Sequence, residues 1–295
     1  NPSGKLAESW PYRYEDVPSS EIYGKTTDAL YQEGIYVGYR YYDKSGVPVR
    51  WPFGYGLSYT EFAYSDLTVS GNAVSVTVKN TGGFAGAEVV QLYIGAPQDG
   101  LHRPIRELKG FQKVFLLPGE SRTVMFSLTD RNFALWQEGW KVPAGQYTVS
   151  IGGLNAVIKK HGEALPIPVW QTGSWYQDCT GKPNLADWEA MLGRHYTPPV
   201  LKKGSFTMDN TVMEMKDYSL MMKIMFKAVE ATIAKGFGGK KDYENPEFRM
   251  LMNSSAGSPL RSMMISGGIK GGVMPGMLEM ANGHFFRGIW MMITG

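Results

Sequence analysis

Cysteine is almost absent from this chain: Cys179 stands alone in 295 residues. No disulfide can close within it, which favours a reducing, cytoplasmic compartment. An excess of charge is missing as well, since 30 Lys and Arg face 27 Asp and Glu for a net of +3. With no basic run carrying interleaved aromatics, nothing points to a nucleic acid. No stretch reaches the ~18 to 20 consecutive apolar residues that cross a bilayer. His102, His161, His195 and His284 are scattered without i,i+4 or Cys/His spacing, so no metal site is expected. There is no Gly-x-Ser-x-Gly elbow to seat a hydrolytic serine. Gly236-Phe237-Gly238-Gly239-Lys240-Lys241 and Gly267-Gly268-Ile269-Lys270-Gly271-Gly272 lack the Gly-Lys-Ser/Thr ending of a phosphate loop and read as helix breaks.

What is present is ordinary globular material, 43% hydrophobic and 19% charged, long enough for one large domain or two smaller ones. The densest signal is Glu33 to Phe62, where tyrosines crowd around Gly38 and Arg40, and Gly54 and Gly56 interrupt Phe53, Tyr55, Leu57 and Tyr59. Ile35, Val37, Tyr39 and Tyr41 alternate as one face of a strand. Such a belt buries broad planar surface and suits a seam between domains. Residues 1–60 therefore read as an extended aromatic linker packed on neighbouring structure. Asn1-Pro2-Ser3-Gly4 is loop chemistry with no leader before it, as expected for the middle of a gene product.

Residues 61–166 read as a β-sandwich. Val74, Val76 and Val78 alternate with polar residues, and Asn80-Thr81-Gly82-Gly83 turns the chain. Val89 to Ile94 is nearly continuous apolar strand. Pro118-Gly119-Glu120 and Pro143-Ala144-Gly145 are further turns, and Val124, Phe126 and Leu128 share a face. About seven short strands in roughly a hundred residues is an immunoglobulin-like pattern. Without a Cys–Trp–Cys signature, a fibronectin type III-like sandwich fits better than an antibody domain. Val76, Val90, Leu92, Phe126, Val149 and Ile151 are its expected core.

Residues 167–295 change character to a Met-rich helical extension, with fifteen of the seventeen methionines beyond Phe206. Tyr218 to Lys235 carries Met221, Met225, Ala228 and Thr232 at helical spacing, with Leu220, Ile224 and Ala231 beside them, and stops at Gly236. Asn245-Pro246 and Ser258-Pro259 read as helix starts. Met274 to Asn282 and Phe285 to Thr294 read as two helices around Gly283.

Asn1-Pro2-Ser3-Gly4-Lys5-Leu6, the Glu33–Phe62 belt and Glu107-Leu108-Lys109-Gly110-Phe111 together resemble the C-terminal part of family 3 glycoside hydrolases, the retaining β-glucosidases, β-xylosidases and their relatives. The resemblance is strongest from Asn1 to about Gly153. It implies a fibronectin type III-like domain, no metal or organic cofactor, and a β-glucoside or related oligosaccharide as the whole enzyme's substrate. It also implies that the aspartate nucleophile and glutamate acid/base lie on domains upstream of Asn1, on which this segment packs. No catalytic, cofactor or metal residue is assigned within the chain. Glu15, Asp16, Asp28, Asp43, Glu107 and Asp130 sit beside turns or strand ends and read as solvated surface or caps, Asp130 as the cap of a short turn.

Trp51, Tyr55, Trp136 and Trp140 suit stacking on sugar, though filling domain contacts is the commoner use of such residues. A free-standing module binding carbohydrate or protein is the alternative function. Peripheral membrane attachment through His284 to Met292 is a third. The belt from Tyr36 to Tyr59 is expected either to lie open where upstream domains dock or to be covered by the tail.

Overall fold

The computed structural model describes residues 1–23, 28–97, 99–198, 200–266 and 271–295. Of the glycine cluster at 267–272, residues 267–270 lie outside them. Two compact units are present, Asn1–Thr197 and Pro198–Gly295.

The first unit opens with a ribbon of β1 (Trp10–Pro11) and, beyond the helix α1 (Tyr39–Ser45), β2 (Val49–Trp51). The expected strand over Ile35 to Tyr41 does not form. Gly38 takes φ +55° and starts α1 in its place, and Tyr41 and Tyr42, adjacent in sequence, are both buried. A strand would have turned one of them outward.

The sandwich follows: β3 (Phe62–Ser70), β4 (Ala73–Asn80), β5 (Gly86–Gly95), β6 (Arg106–Leu116), β7 (Ser121–Ser127), a small hairpin of β8 (Leu135–Trp136) and β9 (Trp140–Lys141), then β10 (Gly145–Ile151) and β11 (Leu154–Lys160). One antiparallel sheet runs β3-β4-β7 and the other β11-β10-β5-β6. The period-2 pattern decides the faces: Val74, Val76 and Val78 meet Val90, Leu92 and Ile94 inside, while Ser75 and Thr77 stay off the core. Val149 and Ile151 join them as expected. Tyr147 is also buried, and its hydroxyl donates to the Pro143 carbonyl four residues upstream (2.9 Å). That is the tyrosine-corner device of such sandwiches.

Two local expectations are corrected. Phe126 is only partly buried at the edge of the core, whereas its neighbour Val124 is enclosed. Phe126→Ala should therefore cost about 2 kcal/mol, less than the ~3 to 5 of a fully buried phenylalanine. Equilibrium urea unfolding checks this, and a loss above the buried range would place the ring deeper than its exposure says. Asp130 is the first residue of its turn and not the cap. Thr129 holds the cap position, with its N–H donating to Asn132 Oδ1 (2.7 Å), and Asp130 accepts from Lys160 Nζ (3.0 Å).

The helical character expected from residue 167 does not start a new body there. Residues 167–197, including α2 (Leu185–Leu192), lie in the first unit. The second unit holds α3 (Val212–Met215), α4 (Leu220–Lys235), α5 (Pro246–Ser255), α6 (Leu260–Ser266), α7 (Val273–Asn282) and α8 (Phe285–Thr294). Met215, Met222, Met252 and Met274 fill its core around Phe206, Phe248 and Leu260, a use that suits a flexible thioether.

Asn245 caps α5 by accepting from the N–H groups of Glu247 (2.9 Å) and Phe248 (3.3 Å), ahead of Pro246. Ser258 does not cap α6. Its hydroxyl turns back to the Ser254 carbonyl (2.8 Å). The period expected for α4 is right but its face is rotated: Met222 and Ala234 are enclosed, while Leu220 and Ile224 point to solvent. α7 and α8 approach closely where Gly276 faces Gly288, and a Cβ on either would strike the other's carbonyl oxygen.

Candidate functional site

The three motif segments meet on one edge of the sandwich. Leu6 exchanges backbone hydrogen bonds with the belt, its N–H to Tyr55 O (2.7 Å) and its carbonyl from Gly54 N (2.8 Å). Asn1 donates to Ala85 O (2.7 Å) and accepts from Tyr59 N (2.9 Å) and Ser58 Oγ (3.0 Å). Lys5 pairs with Glu88 on β5 (3.0 Å). On the same sheet, α1 is pinned to β6. Arg106 reaches Asp43 through Nε (2.6 Å) and a terminal nitrogen (3.2 Å), Glu107 accepts from Arg40 (3.0 Å) and Lys109 (2.8 Å), and Leu108 N donates to the Tyr39 hydroxyl (3.0 Å).

These pairs show what the singled-out carboxylates do. Asp43 and Glu107 are engaged by cations, Asp16 pairs with Arg13 (3.4 Å), and Asp28 accepts from the Tyr196 hydroxyl (2.9 Å). Glu15 contributes its backbone carbonyl to Lys182. Partly exposed pairs of this kind add little stability singly, but here they fix the helix against the sheet.

The belt splits in two. Tyr36, Tyr41 and Tyr42 are buried with Trp175, Tyr176 and Cys179. Tyr36 meets His102 edge-on (5.3 Å between ring centroids) and Trp175 (6.0 Å), and His102 also meets Trp170 (4.8 Å) and Tyr176 (5.7 Å). The Tyr176 hydroxyl donates to Gln32 O (2.6 Å). Tyr55, Leu57 and Tyr59 remain open. Covering by later sequence thus applies to the first half of the belt, and an open surface to the second.

Chemistry inside the cluster is muted. Burial, with Lys44 nearby, lowers the His102 imidazole to about 4, and burial pushes the Cys179 thiol up to about 12. At neutral pH the imidazole is uncharged and the thiol is not a thiolate, so neither is poised as a nucleophile or acid. Sequence reasoning missed His102, Trp170, Trp175 and Tyr176 as partners of the belt, because pairs more than sixty residues apart leave no periodic trace.

The four candidate stacking residues fall into two hollows. Trp51 and Tyr55 border an apolar one of about 450 Å³ with Trp10 and Leu57. Trp136 and Trp140, edge-to-face at 5.3 Å, stand over another of about 420 Å³ lined by Arg40, Arg103, Glu107, Lys109 and Arg131.

Residues 88–154, most of this sandwich, match the family model of the fibronectin type III-like domain. The chain carries that domain. Around the fibronectin type III-like domain the likeness extends to parts of longer enzymes. Thermostable β-glucosidase B of Acetivibrio thermocellus is 48% identical over 164 residues, covering 52% of this chain and 22% of the relative. The exo-α-(1→6)-L-arabinopyranosidase of Bifidobacterium breve is 40% identical over 199 residues, covering 61% of this chain and 26% of the relative. Among solved structures, β-glucosidase 3B of Thermotoga neapolitana superposes with TM-score 0.52 at 43% identity, covering 55% of this chain and 25% of that one. The family 3 β-glucosidase of Bifidobacterium adolescentis gives 0.51 at 40% identity, covering 61% and 29%. About half of the chain thus matches family 3 β-glucosidases, and the match spans only about a quarter of their length.

Proposed function

We infer that the chain is the C-terminal accessory part of a retaining β-glucosidase-type glycoside hydrolase that releases terminal non-reducing β-linked sugars. One observation carries this: all three motif segments converge on the fibronectin type III-like domain, in a chain half of which matches family 3 β-glucosidases. A retaining glycosidase needs two carboxylates about 5 to 5.5 Å apart, one as nucleophile and one as acid/base. Asp43 and Glu107, the carboxylates nearest the convergence, are each bound to cations that tie up their oxygens. In this reading both catalytic carboxylates sit on domains upstream. The segment packs against those domains and fixes their relative orientation, which sets reacting distances.

The sugar removed is decided outside this portion. The relatives that share it at 40 to 48% identity bear the names of a β-glucosidase and of an arabinopyranosidase.

The purified chain should not hydrolyse 4-nitrophenyl β-D-glucoside above buffer background. Turnover that survives rigorous purification and disappears in Asp43→Ala or Glu107→Ala would place the chemistry here and overturn the accessory role.

A further inference from the structure

The geometry points to a second function for the hollow under the β8–β9 hairpin: binding an acidic sugar unit, a hexuronate residue of a glycan. Its volume of about 420 Å³ lies in the range of small-ligand pockets. Arg40 Nε, Arg103 Nε and His102 Nδ1 belong to residues of its wall, are buried, and have no hydrogen-bond partner in the protein. A guanidinium nitrogen is a donor only, and a buried donor without an acceptor is costly. Both guanidinium groups are held in the wall through their terminal nitrogens, Arg40 by Glu107 and Arg103 by Asp99.

Charge selects the kind of oxygen. Arg40, Arg103, Lys109 and Arg131 line the hollow against the single carboxylate Glu107. Arg103, itself 9% exposed, already has Asp99 behind it. Among the described residues Arg131 has no carboxylate in ion-pair range, and its guanidinium lies over the Trp140 ring.

The rim selects the body that carries the anion. Trp136 and Trp140 are 64% and 54% exposed and set at 69° to each other, so an indole face stays open to a flat partner. A neutral sugar would stack there and offer hydroxyl oxygens to the guanidinium groups, but no counter-charge. A bare anion would meet the donors and leave the indoles wet. A hexuronate answers both, with its ring on the indole and its carboxylate toward Arg131. This assignment rests on the lining of the hollow and not on the hydrolase reading, so binding and hydrolysis can fail separately.

The test is a titration of the full chain with methyl β-D-glucuronide, methyl β-D-glucoside or sodium acetate, following the indole N–H resonances of Trp136 and Trp140 assigned with Trp136→Phe and Trp140→Phe. The glucuronide should shift both resonances saturably and bind about tenfold more tightly than the glucoside, the worth of one charge-assisted contact. Arg131→Ala should weaken it toward the glucoside's affinity without changing the melting temperature, since Arg131 is exposed. Arg131→Lys should keep part of the difference and serves if the alanine variant folds poorly. Four results would overturn the proposal: no shift with the glucuronide up to its solubility limit, equal binding of the glucoside, indole shifts with acetate at the same affinity, or wild-type binding in both Arg131 variants.

Discussion

Asn80→Ala is expected to lower the unfolding free energy of the sandwich by about 3 to 4 kcal/mol, although no charge and little apolar area are lost. Asn80 is fully buried at the end of β4 and makes four side-chain hydrogen bonds. Its Nδ2 donates to Phe84 O (2.8 Å) and Leu116 O (3.0 Å), and its Oδ1 accepts from Thr60 Oγ1 (2.6 Å) and Gly82 N (3.1 Å). Truncation strands two carbonyls, a hydroxyl and an amide in a place water reaches poorly, and each orphan carries its own desolvation cost. Equilibrium urea unfolding measures the change, which should appear as a lower midpoint with the slope preserved. Asn80→Asp should be at least as damaging, because it sets an anion beside two carbonyl oxygens. A midpoint within error of wild type in both variants would mean that the network adds nothing to the sandwich.

The second large effect is expected at the aromatic cluster. Tyr176 is fully buried, touches His102 and Trp175, and ties Gln32 by its hydroxyl. Tyr176→Ala should cost about 3 to 5 kcal/mol, in line with large aromatic truncations in cores. Protease should then cut near residues 28–45 well before the sandwich unfolds.

Acid should act on the same cluster. His102 has a folded value of about 4 against an ordinary 6.5, lowered by burial and by Lys44. The unfolded chain therefore binds more protons than the folded one between those values. Stability should rise with pH across that window and be lost as pH falls from about 6.5 toward about 4. His102→Phe removes the titration, so its stability should vary less with pH over that interval. An unchanged slope in the variant would assign the pH dependence to other groups.

The sandwich was legible because it is local. Val74 to Val78 carry their faces in a two-residue alternation, Val89 to Ile94 is marked as strand by its apolar run, and Asn80, Pro118 and Pro143 mark the turns between strands. The helices of the second unit were legible as elements for the same reason. The side of α4 that turns inward was not, since methionines stand at several positions around it and only packing selects among them. The belt reads as strand because Ile35, Val37, Tyr39 and Tyr41 alternate, whereas the positive φ of Gly38 starts a helix at Tyr39 and residues 170 to 179 bury both Tyr41 and Tyr42. The hollow beneath Trp136 and Trp140 draws its wall from α1, β5, β6 and the residues around the hairpin, so its composition cannot be read from any one window of sequence.

The hydrogen bond from Tyr176 to Gln32 joins residues 144 apart, and that separation sets a schedule on the ribosome. At synthesis rates of about 5 to 20 residues per second, Gln32 and the tyrosines after it wait on the order of ten to thirty seconds before Tyr176 is made. The sandwich can close during that interval, because its strands are complete by Lys160. Nascent chains whose emerged part ends between those two points should thus display a finished β-sandwich beside an unsealed aromatic surface. It is in that interval, more than in the finished protein, that a chaperone or a neighbouring nascent chain would find Tyr36, Tyr41 and Tyr42 within reach.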